Sequence, residues 1–147
     1  MSSISRSTER FSRQHAELGA LSKALLKELD TGAIAADPMK VKRALASFSG
    51  RLRVHAAMEQ QALYPRLLAS SDATVAAKAR SLLDEIGGIY DGFYAYLAAW
   101  SRPNALEADV EGFCRETMRQ LFQLGARMKR EDDELYPLVD ALDAKAS

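Results

Sequence analysis

Apolar residues recur along the chain at intervals of three and four, which is the spacing of a helix with one buried face. Glycine and proline are few and fall mainly between these stretches, and nothing reads as a strand hairpin. The pattern predicts four helical segments, at about residues 6–29, 38–70, 73–100 and 104–143. Because each apolar stripe can be buried only against the others, we expect an all-α, antiparallel up-and-down four-helix bundle that forms a single domain over residues 1–147.

One short pattern occurs twice in the chain, in the second and fourth segments. The first copy, "HAAMEQQALYP", begins at His55, and the second copy, "RMKREDDELYP", begins at Arg127, an offset of 72 residues. Glu59 and Glu131 take the same place in the two copies, and both copies end in "LYP". The first residue of the pattern differs between the copies, since His55 in the first copy corresponds to Arg127 in the second.

The proline that ends each copy lies well inside a predicted helix. Such a proline removes one backbone hydrogen bond and its ring clashes with the preceding turn. We therefore expect a kink in the second helix near Pro65 and in the fourth near Pro137.

Polar residues interrupt three of the four apolar stripes. His15 lies in register with the stripe of the first segment, and His55 and Glu59 continue the stripe of the second. The stripe of the fourth segment includes Arg127 and Glu131. In a bundle, these side chains point at one another across the axis. A buried, ionised glutamate is costly unless a cation or several hydrogen bonds compensate it.

Two interpretations of this polar cluster are open. Two imidazoles with two carboxylates suit Fe(II), Mn(II) or Zn(II) and leave positions for water or a small ligand. Alternatively, the histidines are core residues that hydrogen-bond the glutamates, and no metal binds. The candidate metal ligands are His15, His55, Glu59 and Glu131.

Composition and charge narrow the class of protein. Hydrophobic residues make up 48% and charged residues 27% of the chain, which indicates a soluble globular protein. Lysine plus arginine equal aspartate plus glutamate at 20 each, so no net field favours nucleic acid or an anionic membrane. The first residues lack the apolar core of a signal peptide, and no apolar run is long enough to span a bilayer. With Cys114 as its single cysteine, we expect a cytoplasmic protein that binds neither nucleic acid nor membrane.

The histidine in the first segment, "HAAME" in the second and the "LYP" that follows resemble the hemerythrin-like, or HHE cation-binding, domain family. The resemblance covers about residues 10–140 and is stronger in the second segment than in the fourth. It implies a four-helix bundle that holds two bridged non-haem irons. It also implies a function in binding oxygen or nitric oxide, in handling peroxide, or in sensing iron and oxygen.

The resemblance assigns a role to each candidate ligand. It implies that His15 and His55 bind one iron and that Glu59 and Glu131 are bridging carboxylates. The second iron would take its histidines from the third and fourth segments, and this chain has no histidine after His55. The sequence therefore departs from the pattern of a paired-iron site, and we expect a single non-haem ion.

Other residues stand at the positions of the missing histidines. These are Arg127 in the fourth segment and either Ile86 or Gly87 in the third. We interpret Arg127 as a replacement for the second metal, because its fixed charge and planar donors suit two carboxylates. The alternative is an arginine that extends to solvent. Tyr90, one turn further on, is a core residue, a hydrogen-bond donor to the site or a metal ligand.

Two functions follow from these residues. The first is a domain that holds one iron, or Mn or Zn, and that binds or senses oxygen, nitric oxide or peroxide. The alternative is a metal-free regulatory or interaction module in which Arg127 closes a buried salt-bridge network. An enzyme is the less favoured prediction, since the sequence indicates no substrate pocket. The oligomeric state is left open.

Overall fold

The computed structural model describes residues 8–146, which form helices joined by short connections and no strand. No helix within this range is long and apolar enough to cross a membrane. Two π turns, Glu59–Leu63 and Glu131–Leu135, lie within the long helical stretches. The α-helices are α1 (Glu9–Lys27), α2 (Thr31–Ala36), α3 (Pro38–Met58), α4 (Tyr64–Leu68), α5 (Ala73–Ile86), α6 (Gly88–Trp100), α7 (Ala105–Ala108), α8 (Val110–Arg130) and α9 (Tyr136–Ala146).

Four long helical units make up most of the described range and confirm the predicted all-α bundle. Helix α1 is the first unit, and α3, the first π turn and α4 are the second. Helices α5 and α6 are the third unit, and α8, the second π turn and α9 are the fourth. The first and fourth units are antiparallel, because Thr8 donates to Asp140 at 2.6 Å and His15 contacts Asp132. Helix α2 forms in a predicted loop, and the fourth predicted segment is divided near its start into the short α7 and the long α8. Residues 6 and 7 of the first predicted segment lie outside the described residues.

Aspartates fix the starts of two of these units. At the start of α5, the Asp72 carboxylate accepts hydrogen bonds from the backbone N–H groups of Thr74 and Val75, at 3.0 and 3.3 Å. At the start of α8, Asp109 accepts one from the N–H of Gly112 at 2.9 Å. A cap of this kind contributes on the order of 1 kcal/mol. The caps therefore determine where the third and fourth units begin.

Two apolar clusters form the core, one on each side of a buried polar layer. The larger cluster includes Leu18, Leu52 and Leu124, and the smaller one includes Phe11 and Leu135. The predicted polar cluster lies between these two apolar clusters along the first, second and fourth units. It consists of the two histidines, the two glutamates and Arg127. Each fully buried leucine or phenylalanine contributes about 1.5–3 kcal/mol. The apolar clusters thus hold the helices together and keep water from the polar layer.

Each π turn begins at a glutamate and ends just before a tyrosine–proline pair. The backbone N–H of Tyr64 bonds to the carbonyl of Glu59, and that of Tyr136 bonds to the carbonyl of Glu131. These bonds reach back five residues rather than four, so the helix is wider at both turns. The regular α-helix is therefore interrupted at both places where the sequence predicted a kink. The wider turn also relieves the clash between a proline ring and the carbonyl before it.

The third unit is interrupted at Gly87, where the sequence pattern predicted one continuous helix. The N–H of Gly87 bonds to the carbonyl oxygen of Leu83 at 2.7 Å. A Cβ atom added at Gly87 would clash with that same oxygen. Any larger residue here would therefore force the backbone to shift.

Candidate metal centre

The structure brings together the four side chains that the sequence predicted as metal ligands. His15 comes from α1, His55 from α3, and Glu59 and Glu131 from the first residues of the two π turns. Each offers one nitrogen or oxygen atom, and these atoms all lie within 4.8 Å of one another. His15 is 7% exposed and the other three are fully buried. Metal binding by these four residues stays a prediction. Whether an ion fits among them depends on the distances between their donor atoms and on the charges of the site.

The spacing of the four donor atoms is that of a ligand set. His15 Nε2 lies 2.9 Å from His55 Nε2, 3.5 Å from Glu131 Oε1 and 3.7 Å from Glu59 Oε1. His55 Nε2 and Glu59 Oε1 are in direct contact. Donor atoms bound to one ion at about 2.1 Å lie about 3.0 Å apart at right angles and about 3.4 Å apart in a tetrahedron. The spacings of His15 Nε2 from His55 Nε2 and from Glu131 Oε1 are close to these two values, whereas the other two depart from them and would adjust on binding.

Hydrogen bonds on the outer side of each histidine orient the rings. His55 Nδ1 lies 2.6 Å from Gln14 Oε1, and His15 Nδ1 lies 2.9 Å from Asp132 Oδ1. The Gln14 amide nitrogen donates to the sulfur of Met58, so its oxygen faces His55. An Nδ1–H donated to an oxygen leaves the Nε2 lone pair free for a metal, which is the usual arrangement around metal-binding histidines. Two such lone pairs 2.9 Å apart require a proton or a metal cation between them.

Arg127 lies on the other side of the two glutamates and does not reach solvent. It is 1% exposed, and its guanidinium carbon lies 3.6 Å from the centre of the Tyr90 ring. Its Nε lies 3.4 Å from Glu131 Oε2, and a terminal nitrogen lies 3.3 Å from Glu59 Oε2. The other terminal nitrogen donates to the backbone carbonyl of Ile86 at 3.1 Å. One guanidinium therefore joins both carboxylates to the third helical unit.

The glutamate pair thus has two faces. The histidine face consists of the Oε1 atoms of Glu59 and Glu131 with His15 and His55. The arginine face consists of their Oε2 atoms with Arg127. On the histidine face, Glu131 Oε1 is buried and has no hydrogen-bond partner within the described part of the chain. A buried carboxylate oxygen without a partner is rare and costly, and here it faces the position that an ion would occupy.

Tyrosines of the repeated pattern add hydrogen bonds that connect its two copies. The Tyr64 hydroxyl, from the first copy, donates to Glu131 Oε2 at 3.0 Å. The Tyr136 hydroxyl, from the second copy, donates to Glu59 Oε1 at 3.4 Å and lies 3.0 Å from His15 Nε2. Each copy therefore supports the glutamate of the other. The sequence analysis assigned neither tyrosine to the site, although both belong to the repeated "LYP" and that repetition could have indicated a role there.

The three candidate positions of the third unit, Ile86, Gly87 and Tyr90, differ in what they offer to the site. The Tyr90 hydroxyl donates to Glu59 Oε2 at 3.1 Å, so Tyr90 acts as a hydrogen-bond donor on the arginine face. The side chain of Ile86 packs in the smaller apolar cluster, and Gly87 offers no side chain. The sequence analysis did not identify Gln14 and Asp132 as site residues. The one sequence signal for them was that they are chain neighbours of His15 and Glu131.

Burial and charge shift the proton affinities of the site. Burial opposes a charge on His15, but the nearby carboxylates of Glu131 and Glu59 outweigh it and raise the pKa of His15 to about 10. Burial, reinforced by the nearby Glu59 charge, raises the pKa of Glu131 to about 7. Burial also opposes ionisation of Glu59, yet its close contacts with His15 and His55 hold its pKa well below the usual range. Without a metal, the site therefore keeps a proton on His15 at neutral pH, and a bound ion must displace that proton.

A groove connects the histidine face to the surface. It encloses about 1050 Å³ between α1 and the fourth helical unit. Its lining includes His15, Asp132 and Tyr136 at the site, and the small residues Gly19 and Gly125 further along. The arginine face has no residue in this lining. Of the four candidate ligands, His15 is the one in this lining, so the groove approaches the site from the histidine side.

Comparison with known proteins agrees with the arrangement of the site. The chain matches the family model of the hemerythrin HHE cation-binding domain over residues 6–139. The matched range includes every candidate ligand and Arg127. No curated protein and no solved structure matches the chain.

Proposed function

Because the chain belongs to the hemerythrin HHE cation-binding domain family, we propose that it binds a metal ion, and that it binds one per chain. The observation that carries the proposal is the division of Glu59 and Glu131 between two faces. Their Oε1 atoms face two imidazole nitrogens, and their Oε2 atoms contact Arg127. The histidine face suits a metal cation taken up from solution. The arginine face already contains a cation, the guanidinium of Arg127.

The donor set on the histidine face favours a first-row divalent ion. Two imidazole nitrogens and two carboxylate oxygens suit iron, and also manganese or zinc. We propose a single non-haem iron, held by His15, His55, Glu59 and Glu131. Gln14 and Asp132 fix the two imidazoles from behind. When bound, iron would supply a redox-active, Lewis-acidic centre for a small ligand such as oxygen, nitric oxide or peroxide.

The arginine face limits the number of ions. Two ionised glutamates, two neutral histidines and Arg127 sum to about −1, so one divalent ion brings the layer to about +1. A second divalent ion would bring it to about +3 in a buried site that has no further ligands to offer. Arg127 cannot lose its charge in a protein, and its contacts occupy the Oε2 atoms that a second ion would need.

A metal-free module is the second candidate, and one observation favours it. Arg127 already bridges both glutamates. A proton on His15 compensates the remaining charge, since burial opposes that proton but the nearby carboxylates of Glu131 and Glu59 raise the pKa of His15 to about 10. The partnerless Glu131 Oε1 and the spacing of the donors support the metal-binding proposal over this one.

Metal occupancy of matched variants distinguishes the two candidates. The protein is stripped with a chelator, reloaded with Fe(II) without oxygen, desalted and analysed for metal. We expect the parent and Asp133→Asn to retain iron, because Asp133 is exposed and paired with Lys129. His55→Ala and Glu131→Gln should lose it. A parent protein that retains no more iron than Glu131→Gln would overturn the proposal and favour the metal-free module.

A further inference from the structure

Tyr136 stands among the donor atoms of the histidine face. Its side chain is buried, and its hydroxyl oxygen lies 3.0 Å from His15 Nε2 and 3.4 Å from Glu59 Oε1. These are the distances that separate the proposed ligand atoms from one another. The oxygen therefore meets the same spacing criterion as the histidines and glutamates.

The other two tyrosines of the site differ from Tyr136 in this respect. The hydroxyls of Tyr64 and Tyr90 contact the Oε2 atoms of Glu131 and Glu59, where Arg127 also binds. They act as donors on the arginine face. Among these three tyrosines, Tyr136 alone directs its oxygen at the histidines.

The π turn explains how Tyr136 reaches this place. In an α-helix, a residue five positions after Glu131 is rotated by about 140° from it, and so points away from the same site. The wider π turn reduces this rotation, and the Tyr136 N–H bonds back to the Glu131 carbonyl. The Tyr136 ring then stacks on His15, with centroids 5.3 Å apart, and packs against Phe11. The backbone thus fixes both Glu131 and Tyr136 against one ion position.

We propose that Tyr136 is a fifth ligand, which binds through its phenolic oxygen and makes the site selective for ferric iron. The inference rests on the proposed function, because it places the ligand on the same single ion. Ligation replaces the phenolic O–H bond with an oxygen–iron bond, and the proton passes to solvent. The phenolate adds one negative charge, so a trivalent ion leaves the layer at about +1, the same value as a divalent ion with a neutral phenol.

Optical spectroscopy of the iron-loaded protein tests this ligand directly. The protein is loaded with Fe(II) without oxygen, desalted, and oxidised with ferricyanide. The parent should then show a visible phenolate-to-iron charge-transfer band, and resonance Raman excitation in that band should show tyrosinate vibrations. Tyr136→Phe should lose the band and the vibrations while it still takes up Fe(II). Tyr94→Phe, which removes the hydroxyl of a half-buried tyrosine outside the site, next to Arg53, should keep both signals.

The outcomes separate this inference from the proposed function. Iron-loaded, oxidised parent without the band would overturn Tyr136 as a ligand and leave the four-ligand site standing. A band that persists in Tyr136→Phe would do the same. A parent that takes up no iron would overturn both proposals together. If Tyr136→Phe does not fold, the double variant Tyr64→Phe/Tyr90→Phe decides the question, because tyrosinate vibrations that persist in it assign the ligand to Tyr136 and their loss assigns it elsewhere.

Discussion

The two copies of the repeated pattern present their glutamates in the same way and compensate them differently. Both place a glutamate at the start of a π turn and a tyrosine at its end. One turn before the glutamate, the first copy has His55, which offers a lone pair to a cation. The second copy has Arg127 at the same position, which brings a cation within its own side chain. The same backbone arrangement thus positions the buried glutamate in both copies. The residue that compensates its charge differs between them.

The difference explains why one face of the glutamate pair needs an ion and the other does not. The histidine face has no permanent positive charge, and among the described residues Glu131 Oε1 has no hydrogen-bond partner there. A guanidinium adds a permanent charge and several donors in one plane. It therefore satisfies both Oε2 atoms without help from solution. The predictions below change one face at a time.

The largest expected effect comes from removing the cation of the arginine face. Arg127→Ala leaves two buried carboxylate oxygens without a charged partner, and should lower the free energy of unfolding by about 3–5 kcal/mol. Urea denaturation of the metal-free protein measures this loss. Arg130→Ala is the matched control, because Arg130 forms more exposed ion pairs with Glu134 and Glu85 and its removal should matter much less. Equal losses in the two variants would show that Arg127 does not compensate buried charge.

Replacing the arginine with a ligand should convert the arginine face into a second metal site. Ile86→His combined with Arg127→His supplies two imidazoles and removes the charge that repels a second ion. Gly87→His is the poorer choice, since a side chain there clashes with the Leu83 carbonyl. We expect uptake to rise from about one to about two ions per chain, with the absorption of a bridged ferric pair after oxidation. Arg127→Ala alone should show no such rise, and a double variant that binds no more than the parent would refute the assignment of this face.

The stability of the metal-free and metal-loaded proteins should diverge with pH. Burial opposes a charge on His15, but the nearby carboxylates of Glu131 and Glu59 outweigh it and raise its pKa from 6.5 to about 10, so the folded protein holds a proton that the unfolded chain releases. This stabilisation is fully present below pH 6.5 and is lost as the pH rises through 10. Burial raises the pKa of Glu131 to about 7, which acts in the same direction at lower pH. Metal binding displaces protons and therefore tightens over this range.

Denaturant unfolding across this pH window checks the divergence. The metal-free parent should lose stability as the pH rises, and the loaded protein should gain relative to it. His15→Gln should flatten the metal-free curve. A metal-free parent whose stability is constant across the window would contradict the proton on His15.

The smallest expected effect concerns the residues behind the histidines. Gln14→Ala removes the acceptor that holds the Nδ1–H of His55, and should weaken metal binding by about 10–100-fold without changing the number of ions at saturation. Competition with a chelator of known affinity measures the change. Gln123→Ala, at an exposed glutamine on α8, should bind metal like the parent. If both glutamine variants bind alike, the hydrogen bond does not orient His55.

The sequence predicted the parts of the molecule that follow helical periodicity. His15 and Glu59 were found because they continue apolar stripes, and a stripe in a bundle faces inward. Tyr136 was not found, because α-helical spacing rotates it away from Glu131 and only the π turn brings it back. Gln14 lies beside the stripe of α1 and reaches the site through a side-chain contact that no periodicity records. Helix α2 was missed because it is short and begins at a local cap, where the Asp30 carboxylate accepts from the N–H groups of Gly32 and Ala33, rather than following an apolar stripe.

The number of ions that the wild-type chain binds at saturation tests the central claim most directly. Native mass spectrometry of the chain reloaded with excess Fe(II) counts bound ions for each molecule. If Arg127 takes the place of one metal and the histidine face binds the other, the spectrum should show one iron per chain and no species with two. A population with two irons would contradict the role of Arg127, and a chain that stays free of metal would contradict the role of the histidine face.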